Sequence, residues 1–324
     1  MSIPRSDLRL AVEAHIAAMP FADMAPANLY QPIHYILKLK GKRIRPVLTL
    51  LAYEAVSGRE PAEALNLGCS LELFHNFTLM HDDIMDRAPV RRGQPTVHKV
   101  WNENIAILSG DALFAFSMGL VVQDFPQKAA PLALEFTRVA MEVCEGQMED
   151  MDLADMPQAD IPAYIEMIRK KTAVLLGGCM TMGSMAAGAD ADLTERFRKF
   201  GENLGIGFQL QDDLMDAFPP EGFGKQIGGD IIEGKKTFLL LKAMELADAS
   251  QRADLTRLLG PETSESDRVD GVLSIFQALH IKDITEAKIK EYYDVAGELA
   301  QELDQRCDFT KIRAYLEEIF HRKI

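Results

Sequence analysis

The sequence predicts an all-α protein, and three observations carry that prediction. Leu, Ala, Met, Glu and Lys dominate, β-branched runs of strand length are scarce, and apolar residues recur at helical rather than alternating spacing. At 324 residues and 48% hydrophobic, the chain is long enough to bury a substantial core. No Pro/Gly/Ser-rich linker divides it, so a single domain spanning residues 1–324 is expected.

The elements follow in order. The segment LRLAVEAHIAAM (8–19) reads as the first amphipathic helix, and Arg5, Asp7, Arg9 and Glu13 stand where a secretory leader needs an apolar core. The segment LNLGCSLELFHNFTLM (65–80) runs directly into HDDIMDRA (81–88), and DALFAFSMGLVVQDF (111–125) follows as another helix. Between Lys171 and Asp190 the chain carries no charge, barely reaches membrane-spanning length and consists mostly of small residues. Small residues let helices approach closely, so this stretch reads as a central core helix. The segment AKIKEYYDVAGELAQELDQRC (287–307) is the last long helix.

The net charge of −14 and a pI near 5.0 argue against a nucleic-acid partner, as does the lack of a basic stripe. The acid excess suits a cytoplasmic protein and one that holds divalent cations. Cys69, Cys144, Cys179 and Cys307 are far apart and form no CxxC pair, so reduced thiols are expected rather than disulfides or zinc ligands.

Two acidic phrases stand out. HDDIMDRA (81–88) and QDDLMDAF (211–218) both contain Asp-Asp-x-Met-Asp: Asp82, Asp83 and Asp86, then Asp212, Asp213 and Asp216. On a helix each triplet sits at about 0°, 100° and 40°. Carboxylates so crowded raise each other's pKa and destabilise the fold unless a cation compensates. Arg87 is the one nearby base in the first phrase and the second has none adjacent, so a hard divalent ion such as Mg²⁺ is the natural partner. His75, seven residues before Asp82, and Gln209, three before Asp212, extend polar groups along the same faces, as in a cavity wall with a charged mouth.

The chain supplies basic groups where a bridging anion would need them, and two of the clusters follow directly after the acidic phrases. GKRIRP (41–46) supplies Lys42, Arg43 and Arg45; RRG (91–93) supplies Arg91 and Arg92; RKKT (169–172) ends in Lys171 and Thr172. GKQIGGDIIEGKKT (224–237) adds Lys225, Lys235 and Lys236 among glycines that suit a mobile loop. Arg grips phosphate through a planar fork and Lys as a point charge. No Walker loop, GxGxxG turn or kinase signature offers another way of holding phosphate.

Taken together in order, GKRIRP, HNFTLMHDDIMD, RRGQPTVH, RKKT, GFQLQDDLMD and GKQIGGD…GKKT resemble the trans-isoprenyl diphosphate (polyprenyl) synthases, over residues 41 to 237. The resemblance implies an isoprenoid synthase fold, a single large helical bundle around a deep central cavity with the two acidic motifs facing each other, usually as a homodimer. It implies head-to-tail 1′-4 condensation of isopentenyl diphosphate with an allylic diphosphate. Three Mg²⁺ ions, replaceable by Mn²⁺, would serve the departing diphosphate. It further implies Asp82, Asp86 and Asp212 as direct metal ligands, with Asp83, Asp213 and Asp216 as further or water-mediated ones. Lys42, Arg45, His75 and Arg92 resemble the isopentenyl diphosphate contacts. Arg91, Lys171, Lys225 and Lys235 resemble the allylic diphosphate contacts, and Thr172 and Gln209 would stabilise the cation by their dipoles. One departure is visible: AFPPEGFGK replaces the usual Gly-Asp of that loop, and Pro219–Pro220 stiffens it.

Residues just before the first motif govern product length in such enzymes. Here they are Phe74, Phe77 and Thr78; Phe77 lies five residues, roughly 7.5 Å, up the helix from Asp82. A single aromatic at that position, with no insertion in the motif, resembles the short-chain, C20 geranylgeranyl type. Two aromatics in a row would resemble the C15 farnesyl type, and Phe77 as a core packing residue is the alternative. A terpene cyclase would not need the second diphosphate site of GKRIRP and RRG. A non-catalytic, length-modifying subunit would be expected to lose an acidic motif or its lysines.

Overall fold

The computed structural model describes residues 5–156, 159–219 and 227–320. It bears out the all-α prediction. Apart from a two-residue hairpin pair, the regular elements among the described residues are helices. In chain order they are α1 (Arg5–Ala17), α2 (Ala27–Lys38), α3 (Ile44–Ser57), α4 (Leu65–Met85), β1 (Val90–Arg91), β2 (Gln94–Pro95), α5 (Val97–Val100) and α6 (Glu103–Val121). There follow α7 (Ala129–Asp155), α8 (Ile161–Ile168), α9 (Val174–Ala187), α10 (Ala191–Ala217), α11 (Gly229–Glu233) and α12 (Phe238–Leu246). The last are α13 (Ala249–Leu258), α14 (Glu265–Ala278), α15 (Ile281–Asp304) and α16 (Thr310–Phe320).

Local chemistry sets several boundaries. The Asn102 side chain caps α6 by accepting from Ile105 N, and Asp160 caps α8 by accepting from Ala163 N. Asp248 and Gln251 form a reciprocal capping box at the start of α13. The helix expected over the uncharged stretch starts three residues after Lys171, because Arg169–Ala173 form a wide i→i+5 turn through which α8 runs into α9.

The chain divides into two compact units assembled from interleaved segments, which is why no compositional break marks a boundary. Among the described residues, one comprises those within 5–138, 178–198 and 302–320, the other those within 139–177 and 199–301. In the first, α4 packs against α3 and α6, and α16 returns to α3. Its core holds Leu48, Leu50, Tyr53, Leu71 and Phe74. Gly183 of α9 meets α3 so closely that a Cβ would lie 2.4 Å from the Thr49 carbonyl oxygen, the tight approach expected of that small-residue helix. In the second, α12 packs on α8 and α14, and the core includes Leu210, Leu214, Phe238, Phe276, Ile281 and Ile289.

The helix Glu103–Val121 is long and apolar enough to cross a membrane, and less than half of it is buried. The uncharged stretch after Lys171 is instead core, with Val174, Cys179, Met180 and Met182 fully or almost fully buried.

Candidate active site

Each unit gathers part of the sequence-predicted site. In the second unit a cavity of about 310 Å³ is lined by Lys171, Thr172, Gln209, Asp212, Asp213, Asp216 and Lys235, together with Asp150, Asp230 and Tyr164. Leu153, Met167, Ile168 and Met215 supply its apolar wall. Every predicted residue of this unit within the described range therefore lines one cavity. Lys225 and Pro220 lie outside the described residues.

The wide turn Arg169–Ala173 carries Lys171 and Thr172 into this cavity. Such turns commonly mark functional positions in helices. Here glycines on two sides clamp it. A Cβ at Gly146 of α7 would sit 2.2 Å from Lys171 N, and one at Gly205 of α10 would sit 2.6 Å from Ala173 Cα. The other bases of RKKT are anchors: Arg169 binds Glu142 and Glu166, and Lys170 binds Glu149 and Glu145. Lys171 Nζ donates to Asp150 Oδ2 at 2.5 Å.

The second acidic motif occupies the last turn of α10. At a helix C-terminus the macrodipole is negative, so three carboxylates there are doubly disfavoured. Asp216 is compensated by the backbone: its oxygens accept from Gly229 N at 3.2 Å and Asp230 N at 3.0 Å. Asp213 is buried and accepts from the Tyr164 hydroxyl and from Gln209 Nε2, the latter at 3.0 Å. Burial pushes the Asp213 carboxyl up to about 7; the negative charges of Asp230 and Asp212 add to the rise, and the Tyr164 and Gln209 bonds oppose it. Thr172 Oγ1 donates to Gln209 Oε1 at 3.1 Å. Lys235 pairs with Asp230 and Glu233; burial pulls its ammonium down, but the two carboxylates outweigh burial and hold it above its ordinary value. Lys236 donates to the carbonyls of Leu153, Ala154 and Met156, capping the end of α7 rather than facing an anion.

In the first unit, β1 and β2 are joined by Arg92–Gly93, both at positive φ (52° and 76°), a two-residue turn whose twist suits a tight hairpin. This turn lays the Arg92 guanidinium against Gly41, 3.1 Å from where a Cβ would stand, and points Arg91 back at Asp83. Arg91 donates to Asp83 Oδ1 from Nε at 2.8 Å and from Nη2 at 2.7 Å. This corrects the expectation that Arg87 is the one base near the first triplet: the hairpin returns Arg91, eight residues on, as the partner of the buried middle acid. Arg87 itself takes a positive φ and is exposed.

Arg43 holds the frame of this side. It enters α3 at positive φ, pairs with buried Glu72 at 2.6 Å and donates to the carbonyls of Leu37 and Leu39. Lys42 is exposed, while Arg45 is half-buried with its Nε buried and without a hydrogen-bond partner. His75 is half-buried; burial first, then Arg45, Arg92, Arg91 and Arg43, hold its imidazole well below the ordinary range and hence neutral. Arg45, Arg91 and Arg92 thus form one cationic neighbourhood around His75. Asp82 is half-buried and Asp86, just past the end of α4, is exposed.

The three chain-length candidates sit in different environments. Phe74 is buried among Phe77, Phe114 and Phe136. Phe77 is half-buried against Phe114 and the His81 ring, and the Thr78 hydroxyl donates to the His75 carbonyl. Sequence reasoning missed Tyr164, Asp150 and Asp230. Asp230 stands inside GKQIGGDIIEGKKT, where the lysines carry the signal, and neither Tyr164 nor Asp150 carries a local one.

The chain matches the polyprenyl synthetase family over residues 26–276. It is 34% identical over 299 residues to a geranylgeranyl pyrophosphate synthase of Geoglobus acetivorans, covering 92% of this chain and 90% of the relative. A geranylfarnesyl diphosphate synthase of Aeropyrum pernix is 33% identical over 288 residues, 87% of this chain and 89% of the relative. The crystal structure of a geranylgeranyl pyrophosphate synthetase from Pyrococcus horikoshii superposes with a TM-score of 0.88 at 30% identity, covering 97% of this chain and 95% of that one.

Proposed function

This chain belongs to the polyprenyl synthetase family, and from that premise we propose that it condenses isopentenyl diphosphate with allylic diphosphates, head to tail, to a C20 geranylgeranyl product. The observation that carries the reading is the cavity of the second unit. There, cationic Lys171 and Lys235 stand with five carboxylates and the Thr172–Gln209 pair beside an apolar wall.

The donor set fits a hard divalent cation, since the carboxylates of Asp150, Asp212, Asp216 and Asp230 line that cavity. Among the described residues no three His, Cys, Asp or Glu side chains converge into a preformed metal cluster. Mg²⁺ usually keeps several waters and is completed by substrate phosphates. On the family resemblance we assign direct metal binding to Asp82 and Asp86 in the first unit and to Asp212 in the second. When bound, Mg²⁺ supplies Lewis-acid stabilisation of the departing diphosphate.

The chain's own residues do the rest. Lys171 and Lys235 neutralise the allylic diphosphate as its C–O bond breaks. The oxygens of Thr172 and Gln209 present negative dipole ends to the allylic cation, and Leu153, Met167, Ile168 and Met215 exclude the water that would quench it. Lys42, Arg45, His75 and Arg92 hold isopentenyl diphosphate, with His75 as a neutral hydrogen-bonding group. The isopentenyl double bond attacks the cation, and loss of a proton restores an allylic product.

Exposed apolar side chains, Ile107 and Leu108 on α6 and Met141, Met148 and Met151 on α7, support a homodimer. Net acidity supports a cytoplasmic location. The test is incubation with labelled isopentenyl diphosphate, Mg²⁺ and C5, C10 or C15 primers, followed by chromatography of the dephosphorylated products. A ladder ending at C20 that EDTA abolishes is the expected result, and no elongation from any primer would overturn the reading.

A further inference from the structure

A chain of hydrogen bonds crosses the wall of the second unit's cavity. It starts on α8 at Tyr164, 2% exposed, whose hydroxyl donates to Asp213 Oδ2. Asp213, 7% exposed, accepts on Oδ1 from Gln209 Nε2 at 3.0 Å. Gln209 Oε1 in turn accepts from Thr172 Oγ1 at 3.1 Å. The chain thus links α8, α10 and the wide turn that carries Lys171.

The polarity of this chain has one consistent direction. A primary amide is a donor at one end and an acceptor at the other, so Gln209 alone could face Thr172 with either. Asp213 decides: with Tyr164 donating to Oδ2, its ionised form leaves Oδ1 as an acceptor, which takes the amide NH₂. The Gln209 carbonyl is then left toward Thr172. Were the amide reversed, two acceptor oxygens would meet inside a buried network, at the cost of an unsatisfied polar group. Tyr164 fixes Asp213 because its ring is held in the core around Leu210 and Leu214.

We infer that Tyr164 is a positioning residue. Through Asp213 it sets the orientation of the Gln209 amide and so the direction in which the Thr172–Gln209 dipoles face the reacting carbon. Asp213, with a donor on each oxygen, serves as the hinge of this network and not as a metal ligand. The inference rests on the proposed reaction and assigns a role within it to a tyrosine whose hydroxyl is committed to Asp213.

Tyr164→Phe removes only the hydroxyl. A hydrogen bond to a charged group is worth enough for kcat to fall about tenfold or more on its loss. The KM for each substrate should stay within about twofold, because no substrate contact is removed. The double variant Tyr164→Phe/Gln209→Leu should be no slower than Gln209→Leu alone, since the hydroxyl acts through Gln209. Calorimetric titration with Mg²⁺ and inorganic diphosphate should give the same affinity for Tyr164→Phe as for the unmodified protein.

A wild-type kcat in Tyr164→Phe, multiplicative losses in the double variant, or a tenfold loss of Mg²⁺–diphosphate affinity would each overturn the inference. If Tyr164→Phe fails to fold, a ring-fluorinated tyrosine at position 164 keeps the shape and strengthens the donor. A changed kcat at constant KM then supports the role, and an unchanged one refutes it. Failure of the unmodified protein to elongate any primer would instead overturn the proposed reaction, and this inference with it.

Discussion

Replacing Gly146 by Ala tests how the turn that carries Lys171 and Thr172 is held. A Cβ at that position would stand 2.2 Å from Lys171 N, 2.7 Å from the Lys170 carbonyl carbon and 2.7 Å from Lys171 Cα. These are backbone atoms, so no side chain can swing aside. Ordinary contact begins near 3.4 Å, so α7 and the turn must part by more than 1 Å. The opposite side of the turn is closed, because Gly205 brings α10 to the same backbone. Overpacking of this kind costs about 1–3 kcal/mol. The displacement is carried by Lys171 and Thr172, and a misplacement of about 1 Å can cost on the order of 100-fold in rate. Gly146→Ala should therefore melt at a lower temperature and lose most of its turnover in the primer-extension assay. Gly119→Ala on α6, where nothing lies within 4 Å of the added methyl, is the matched control. It should be neutral or stabilising by about 0.5–1 kcal/mol, as expected for Gly to Ala in a helix. A Gly146→Ala protein with the melting temperature and kcat of the unmodified chain would show that the clamp does not govern the turn.

Three further outcomes are expected. Asp82→Ala and Asp212→Ala should each lower kcat by orders of magnitude while circular dichroism shows unchanged helix content; full activity in either would remove that residue from the metal set. Phe77→Ala should lengthen the product, read by chromatography of the prenols, whereas an unchanged distribution would return Phe77 to packing against Phe114 and His81. His75 titrates well below its ordinary 6.5 in the folded state. The unfolded chain therefore binds a proton there that the folded chain does not, and stability falls as pH drops below about 6.5. His75→Gln should flatten that part of the urea-unfolding profile, and a profile identical to the unmodified protein's would contradict a neutral, cation-flanked imidazole.

The long helices were legible because their periodicity is a local property. The segments 8–19, 65–80, 111–125 and 287–307 all fall on or across helices of the structure. The site was legible as far as its residues stand in short, charged phrases: Lys171, Thr172, Gln209, Asp212, Asp213, Asp216 and Lys235 come from three separate phrases and line one cavity. Contacts made by tertiary approach were not. Tyr164 lies 49 residues from Asp213, in a segment that otherwise reads as ordinary apolar helix. The Arg91–Asp83 pair depends on a hairpin whose turn needs positive φ at Arg92, a conformation that nothing but the following glycine suggests. The wide turn at 169–173 was hidden because α8 and α9 continue through it without a break in pattern.

The two acidic triplets resolve their self-repulsion by the same geometry with different partners. In Asp-Asp-x-x-Asp on a helix the outer acids lie within about 40° of each other, and the middle one lies about 60–100° away from both. The middle acid therefore faces a different neighbour. Asp83, 1% exposed, meets the Arg91 guanidinium; Asp213, 7% exposed, meets the Tyr164 hydroxyl and the Gln209 amide. A charged partner compensates the first and neutral donors the second, and burial pushes the Asp213 carboxyl up to about 7. Asp82, Asp86 and Asp212 keep more solvent exposure than either middle acid. The burial pattern supports the proposal that the middle acid of each motif orients its neighbours and that Asp82, Asp86 and Asp212 bind the cation. Substituting the middle acids by Asn should then impair kcat more than Mg²⁺–diphosphate affinity, with the reverse ranking for Asp82 and Asp212. Equal loss of metal affinity at all four positions would refute that division of labour.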